Sequence, residues 1–219
     1  MCGRINVSDH AGVQALLDQL GISLDAGTFH PRYNIAPGED ILVAFNGNSP
    51  ELARMSWGIV PAWARTKPGS RPLINARLET AWEKPSFRKM MAHSRGVVPV
   101  TGFYEWKQAG SVRQPYFIRP AAPIALALAA IYQIAKDGTR QVAILTEEAA
   151  GSMTQIHHRQ PVILAPQKMK TWLTSEDRQA IEAVTAGQLT LQLDIIGVSS
   201  YVNNTANEGE ECIRPAAAR

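Results

Sequence analysis

The longest apolar run of the chain, IALALAAIYQIA at positions 124–135, has about 12 residues. It is too short to span a bilayer as a helix and is typical of a buried strand. The turn sequence KDGT follows at 136–139 and leads into a second apolar segment, RQVAILT, at 140–146. An Asp-Gly turn between two such runs predicts a β-hairpin. Paired strands joined by tight turns therefore constrain the fold more than any other feature.

The same pattern recurs along the chain. A second hairpin is predicted at 41–57, where NGNSP separates two apolar segments. Further strands are predicted at 96–100, 103–106, 115–119, 161–165 and 189–199. Helices are predicted at 8–21, 80–85, 86–93 and 175–184. Because strands outnumber helices, we expect an α+β fold: a single domain over 1–219, with a curved, mostly antiparallel, barrel-like sheet flanked by helices.

Basic residues are concentrated in one part of a nearly neutral chain. The sequence has 22 Lys and Arg against 19 Asp and Glu, a net charge of +3, which does not by itself indicate a nucleic-acid-binding protein. From Ala62 to Arg95, however, eight basic residues stand against only Glu79 and Glu83. Such a stretch is typical either of an anion-binding surface or of a solvated face.

The chain holds two cysteines, Cys2 and Cys212, without C-x-x-C spacing. This argues against a disulfide framework and against a structural zinc site, and we expect no metal and no cofactor. The N-terminal sequence lacks the basic and apolar regions of a signal peptide, and no segment is long enough to span a membrane. We therefore expect a cytoplasmic protein, monomeric and without a membrane partner.

Cys2 directly follows the initiator methionine. Methionine before a small residue is usually removed, which leaves Cys2 with a free α-amine beside its thiol. The amine has a pKa of about 7.7–8.0 and the thiol one of about 8.5. Such a pair condenses with an aldehyde to an imine, which the thiol closes to a thiazolidine. The alternative is attack of the thiolate on an amide, with the amine as base.

Three other segments carry polar residues that a stable fold does not require. LINARLET contains Asn75 and Arg77, and GFYEW places Glu105 between two aromatic residues, where a carboxylate is poorly solvated and suited to proton transfer. IHHRQPVIL contains His157 and Arg159, which face one way in an extended segment, with the intervening histidine facing the other. Each residue alone fits a structural role. Together with Cys2 they form a set that chemistry can use.

Eight segments occur in order from Cys2 to Cys212: MCGR, RYNIAP, WGIVPAW, INARLET, GFYEW, ILTEEA, IHHRQP and VNN…ECI. In these segments the chain resembles the SOS-response-associated peptidase (SRAP) family of abasic-site processing proteins. The resemblance implies a protein that binds single-stranded DNA, crosslinks its N-terminal cysteine to the aldehyde of an abasic site and shields the lesion. It also implies nucleoid association on damaged DNA and, as side activities, AP lyase chemistry and autoproteolytic removal of Met1.

The resemblance also implies a role for individual residues. Cys2 is the nucleophile, Asn75 orients its amine, and Glu105 and His157 are the acid/base groups that open the sugar and move protons. The implied DNA-binding residues are Arg4, Arg77 and Arg159 on phosphates, Trp63 and Trp106 on bases, and Thr146 on the backbone. Two other functions stay open: an N-terminal-nucleophile amidohydrolase that uses Cys2, and a non-covalent reader of single-stranded DNA.

Overall fold

The computed structural model describes residues 2–47, 49–61, 69–110, 112–186 and 191–216, and within them the backbone forms two β-sheets of five and eight strands. The five-stranded sheet has the order β13-β8-β7-β1-β2, and all its neighbouring strands are antiparallel. Its strands are β1 (Ile5–Val7), β2 (Arg32–Ile35), β7 (Gly102–Ala109), β8 (Val112–Pro120) and β13 (Leu193–Gly197). Because β1 lies between β2 and β7, the N-terminus is held in the interior of this sheet.

Five strands of the second sheet close into a ring in the order β10-β4-β3-β6-β9 and back to β10. The remaining three strands extend this ring: β5 and β11 pair with β10, and β12 pairs with β9. The strands of this sheet are β3 (Asp40–Asn46), β4 (Pro50–Trp57), β5 (Asn75–Arg77), β6 (Arg95–Val100), β9 (Leu126–Ile134), β10 (Arg140–Glu148), β11 (Arg159–Pro161) and β12 (Ile163–Leu164). The predicted α+β fold with a curved, barrel-like sheet is confirmed, and of the ladders described only β10–β4 and β10–β5 are parallel.

Apolar side chains fill the space enclosed by this ring, and short helices cover it. Trp57, Met55, Val43, Leu128 and Ile144 are all fully buried. The helices are α1 (His10–Asp18), α2 (Leu78–Ala81), α3 (Arg88–His93), α4 (Met169–Thr174) and α5 (Arg178–Thr185). None of these helices, which are those of the described residues, is long and apolar enough to cross a membrane.

The predicted hairpins at 41–57 and 124–146 are confirmed by antiparallel registers that pair Val43 with Ala53 and Val142 with Tyr132. The predicted strand at 161–165 is divided in two, because Val162 bonds to β10 through its N–H and to β9 through its carbonyl. The helix predicted at 80–85 is wrong in extent. It spans Leu78–Ala81 and gives way to turns, since a residue that precedes a proline disfavours helical geometry. The assignment of 1–219 to one domain stays a prediction.

Candidate functional site

The two halves of strand β10 pair with different neighbouring strands. The candidate site lies at the second half of this strand. Its first half, around Val142, lies between β4 and β9. Its second half pairs with β5 on one side, from Ile144 to Thr146, and with β11 on the other. The segments that carry Asn75 and His157 therefore flank the same end of one strand, close to where the chain enters β1.

Cys2 is fully buried at this point, three residues before β1. Its carbonyl oxygen accepts a hydrogen bond of 2.8 Å from Asn75 Nδ2. Burial raises the pKa of the Cys2 thiol, and the nearby Glu105 carboxylate raises it further. The thiol is therefore held in its neutral form at pH 7.

Asn75 has one amide end engaged and one available. Nδ2 donates to Cys2, whereas Oδ1 is buried and accepts no hydrogen bond from any residue that the structure describes. A buried acceptor in this position calls for a donor, because an unmet buried polar group costs roughly 1–3 kcal/mol. The contact predicted for Asn75 is to the α-amine of Cys2; the hydrogen bond in the structure goes to the Cys2 carbonyl oxygen instead, and the contact to the amine stays a prediction.

Glu105 lies on β7 and is only 2% exposed. Its negative charge raises the pKa of the Cys2 thiol and, against the effect of burial, that of His157. Both residues are thus within electrostatic reach of one carboxylate. The predicted poor solvation of Glu105 agrees with its burial.

His157 lies in a turn between a short 3-10 helix, Gly151–Gln155, and β11. The backbone N–H of Arg159 donates to His157 Nδ1 at 2.9 Å, and the ring stacks on that of His158 with 4.2 Å between centroids. Burial lowers the pKa of His157, so the ring is neutral at pH 7. The expectation that the two histidines face opposite ways is wrong, because this segment turns and is not extended.

Arg159 is 6% exposed and binds to protein groups through its guanidinium. Nη1 and Nη2 donate to the two carboxylate oxygens of Glu79 at 2.6 and 2.9 Å. Nη2 also donates to the backbone oxygen of the buried Thr146 at 2.5 Å, with the hydroxyl at 3.3 Å. The Arg159 charge is therefore neutralised within the protein in this structure.

Arg4 and Trp106 line an open cavity of about 390 Å³ beside the N-terminus, together with Gly3, Arg113 and Asn203. The volume falls within the range of ligand pockets, roughly 300–1,000 Å³. Arg4 Nη1 donates to Asn34 Oδ1 at 2.6 Å and to the Val202 carbonyl at 2.8 Å, and the guanidinium lies 5.6 Å from the centre of the Trp106 ring. Of these residues Arg113 is exposed and Trp106 is partly buried, whereas Arg4 is only 8% exposed and its guanidinium is bound by protein groups.

Arg77 ends β5 and is exposed, directly beside the Asn75 segment. Trp63, the other predicted base-stacking residue, lies outside the described residues, as does Met1. Within the described ranges, no cluster of three or more His, Cys, Asp or Glu side chains is placed to bind a metal ion.

Four residues of this region were missed by the sequence analysis. They are Asn34, Glu79, Arg113 and Asn203, which contact or lie beside the predicted residues. Asn34, Glu79 and Asn203 stand inside motifs already singled out, RYNIAP, INARLET and VNN…ECI, and that is the one signal that could have found them. Their partners are remote in sequence, so spacing could not reveal the contacts.

The sequence matches a known family over most of its length. The family model described as "SOS response associated peptidase (SRAP)" matches residues 1–205. The abasic site processing protein YoaM of Bacillus subtilis (strain 168) is 32% identical over 225 residues, which cover 97% of each chain. The abasic site processing protein YedK of Escherichia coli (strain K12) is 34% identical over 191 residues, which cover 84% of each chain.

Solved structures match the fold. A protein from Bacteroides thetaiotaomicron superposes with a TM-score of 0.78 at 22% identity, over 97% of this chain and 99% of its own. A phage-related protein from Bordetella bronchiseptica superposes with a TM-score of 0.71 at 29% identity, over 89% of this chain and 94% of its own. The two-sheet architecture is thus shared across nearly the whole chain.

Proposed function

The chain belongs to the SOS response-associated peptidase family, and from this premise we propose that it processes abasic sites in single-stranded DNA by crosslinking Cys2 to them. Its relatives YoaM and YedK are named abasic site processing proteins. The observation that carries the proposal is the position of the buried Cys2, whose carbonyl oxygen lies 2.8 Å from Asn75 Nδ2 and whose thiol is within electrostatic reach of Glu105, the same carboxylate that acts on His157.

The proposed reaction begins once Met1 has been removed. The α-amine of Cys2 attacks C1′ of the ring-opened abasic sugar and forms a carbinolamine, which loses water to give an imine. The thiol then adds to the imine carbon, its proton passes to the nitrogen, and a five-membered thiazolidine results. One C–N and one C–S bond form, and one water molecule leaves.

The state of the thiol supports attack by the amine first. Because the pKa of the Cys2 thiol is raised by burial and by Glu105, little thiolate is present at pH 7. The α-amine, with an ordinary pKa of about 7.7–8.0, is partly neutral at that pH. Asn75 Oδ1, a buried acceptor, is available to receive an N–H of that amine and to orient its lone pair.

Proton transfer is the second requirement, because an abasic sugar is mainly a closed hemiacetal and a carbinolamine loses its hydroxyl as water. Glu105, whose charge acts on both the Cys2 thiol and His157, can serve these steps together with His157. An imine at C1′ also acidifies C2′, so β-elimination is an expected side reaction. Autoproteolytic release of Met1 is proposed on family grounds alone.

Binding of a single strand without sequence preference needs cations along a groove and aromatic platforms for bases. Arg77 is exposed beside Asn75, and Arg4, Arg113 and Trp106 line the cavity next to Gly3. We assign phosphate contacts first to Arg77 and place a flanking base over Trp106. Thr146 and Arg159 are buried, so contacts from them to DNA require that the Glu79 pair rearranges.

The two other functions predict different chemistry. An amidohydrolase of the N-terminal-nucleophile class attacks with a thiolate, which the raised pKa of the Cys2 thiol disfavours. A non-covalent reader of single-stranded DNA forms no adduct at all. Hydrolysis of glutamine by the purified protein, or DNA binding that never becomes covalent, would each replace the proposal.

The test is a denaturing gel of protein mixed with single-stranded DNA that carries one abasic site. We expect a heat-stable adduct with the wild type and with Cys212→Ser, whose cysteine is equally buried. Cys2→Ala keeps the α-amine and should yield an adduct only after borohydride reduction of the imine. A heat-stable adduct with Cys2→Ala contradicts the proposed thiazolidine.

A further inference from the structure

Glu79 belongs to none of the groups predicted from sequence, yet it connects the two segments that carry Asn75 and His157. It stands four residues after Asn75, in the first turn of α2. Its carboxylate takes both guanidinium donors of Arg159, which stands two residues after His157. A hydrogen bond from the backbone of Glu148 on β10 also reaches this carboxylate and, with Arg159, lowers its pKa. Glu79 is therefore ionised and anchored to β10 at neutral pH.

The ion pair with Glu79 fixes the position of the Arg159 side chain. The Arg159 side chain is 7% exposed, and its two terminal nitrogens are bound to Glu79 and to Thr146. The Glu79 side chain is 45% exposed, so the pair is half-buried, but removal of the carboxylate leaves the buried guanidinium without its compensating charge, which is destabilising. The orientation of the Arg159 backbone is fixed along with its side chain, because β11 pairs with β10 at this residue.

The backbone of Arg159 in turn determines the protonation of His157. Its N–H lies 2.9 Å from His157 Nδ1, and since a backbone N–H can only donate, Nδ1 must accept through its lone pair. The neutral ring then carries its proton on Nε2. The Arg159 carbonyl, 3.2 Å from the same nitrogen, can accept only from a ring protonated at Nδ1. Stacking on His158 limits rotation of the ring.

We infer that Glu79 is a positioning residue, which acts through Arg159 to hold His157 as the Nε2–H tautomer in the candidate site. The inference rests on the proposed function and sharpens it. A neutral imidazole with Nδ1 occupied donates a hydrogen bond from Nε2 to the reacting oxygen of the sugar without giving up its proton. Glu105 is then the group that transfers protons, and His157 polarises the bond to the reacting sugar oxygen through its hydrogen bond.

The tautomer is measured first, on the wild-type protein without DNA, by long-range proton–nitrogen NMR at pH 8, with His157→Gln for assignment. We expect Nε2 to be protonated and Nδ1 to be unprotonated. A ring protonated at Nδ1 overturns the inference. Because no DNA is present, this result is independent of adduct formation, whose absence would instead refute the proposed function.

The role of Glu79 is tested with Glu79→Gln against Glu148→Gln, a control carboxylate that is exposed and lies opposite Arg159 in the register. With Glu79→Gln we expect crosslinking at saturating DNA to slow about 10- to 100-fold, a mixture of tautomers, and DNA affinity within about twofold of the wild type. Glu148→Gln should match the wild type. Tighter DNA binding, a steeper salt dependence and an unchanged rate would mean that Glu79 merely masks Arg159 from phosphate, and would overturn the inference.

Loss of the carboxylate charge can also unfold the protein, so Glu79→Asp provides a second variant. Aspartate keeps the charge but is one methylene shorter, and we expect a folded protein that crosslinks more slowly than the wild type. A wild-type rate with Glu79→Asp contradicts a positioning role, whether or not Glu79→Gln folds.

Discussion

Cys2 and Cys212 are both fully buried, but their surroundings differ in kind. Cys212 packs in a small cluster with Tyr104, Phe117 and Val202, and its thiol lies 3.7 Å from a backbone carbonyl. Cys2 accepts a hydrogen bond from the Asn75 amide on β5 and is within electrostatic reach of the Glu105 carboxylate on β7, which also acts on the His157 imidazole before β11. Burial raises the pKa of both thiols. Burial therefore does not separate the two cysteines; the neighbouring groups, and an α-amine once Met1 is removed, are what assign the proposed reaction to Cys2.

The largest expected effect on crosslinking comes from substituting each of the two cysteines in turn. Cys2→Ala should abolish the heat-stable adduct, whereas Cys212→Ser should crosslink at the wild-type rate. Cys212→Ser should lower the free energy of unfolding by about 1–3 kcal/mol, because a hydroxyl is buried in an apolar cluster. Gel-based crosslinking and urea unfolding measure the two effects. A Cys212→Ser protein that folds but does not crosslink would contradict the prediction that only Cys2 is required for the adduct.

Glu105→Gln should have the next largest effect. The amide keeps the shape of the side chain but cannot transfer protons, so crosslinking should slow roughly 100-fold or more while the affinity for DNA stays nearly unchanged. Single-turnover crosslinking and fluorescence anisotropy separate the two quantities. Glu147→Gln, at a partly buried carboxylate on β10, is the control. A large loss of DNA binding in Glu105→Gln would assign Glu105 a structural role.

Arg77→Ala should have a moderate effect on binding and little on chemistry. Loss of one phosphate contact reduces the slope of log K against log salt by about 0.7 for a single strand. Arg178→Ala, an exposed arginine paired with Glu182 on α5, should leave the slope unchanged. The same slope for Arg77→Ala and the wild type would remove Arg77 from the phosphate contacts.

The smallest effect concerns pH and stability. Burial lowers the pKa of folded His157 below its ordinary value near 6.5, so below about pH 6.5 the unfolded chain binds more protons at this residue than the folded chain. Its contribution to stability is therefore present above that pH and is lost as the pH falls through the window below 6.5. His157→Gln should flatten the decline in the free energy of unfolding over this range, as measured by urea unfolding at several pH values. An identical decline in both proteins would show that burial of His157 does not perturb its titration.

The sequence predicted the local features of this molecule but not the contacts between segments that are remote in sequence. The hairpin 124–146 followed from apolar runs and an Asp-Gly turn, and Asn75, Glu105 and His157 stood out as polar residues in apolar or aromatic segments. The barrel-like sheet was predicted, but not the pairings that build it, because the parallel ladders of β10 with β4, which closes the ring, and with β5, which extends it, join segments remote in sequence.

Contacts between remote charged residues were equally hidden. The Arg159–Glu79 pair spans 80 residues, and Arg4 reaches Val202 over 198. Neither pairing follows from periodicity or spacing, since each joins segments that are remote in sequence and meet only through the order of strands within a sheet. The sequence could thus nominate Arg4 and Arg159 as cations of the site, but not that each is bound by protein groups.

The central claim, that Cys2 joins an abasic site through both its amine and its thiol, is tested most directly by intact-mass spectrometry. The protein is measured before and after it is mixed with single-stranded DNA that carries one abasic site. We predict a protein without Met1, and then a heat-stable species at the summed masses of protein and DNA less one water molecule. A Met1-free protein that binds this DNA but yields no such species would contradict the account.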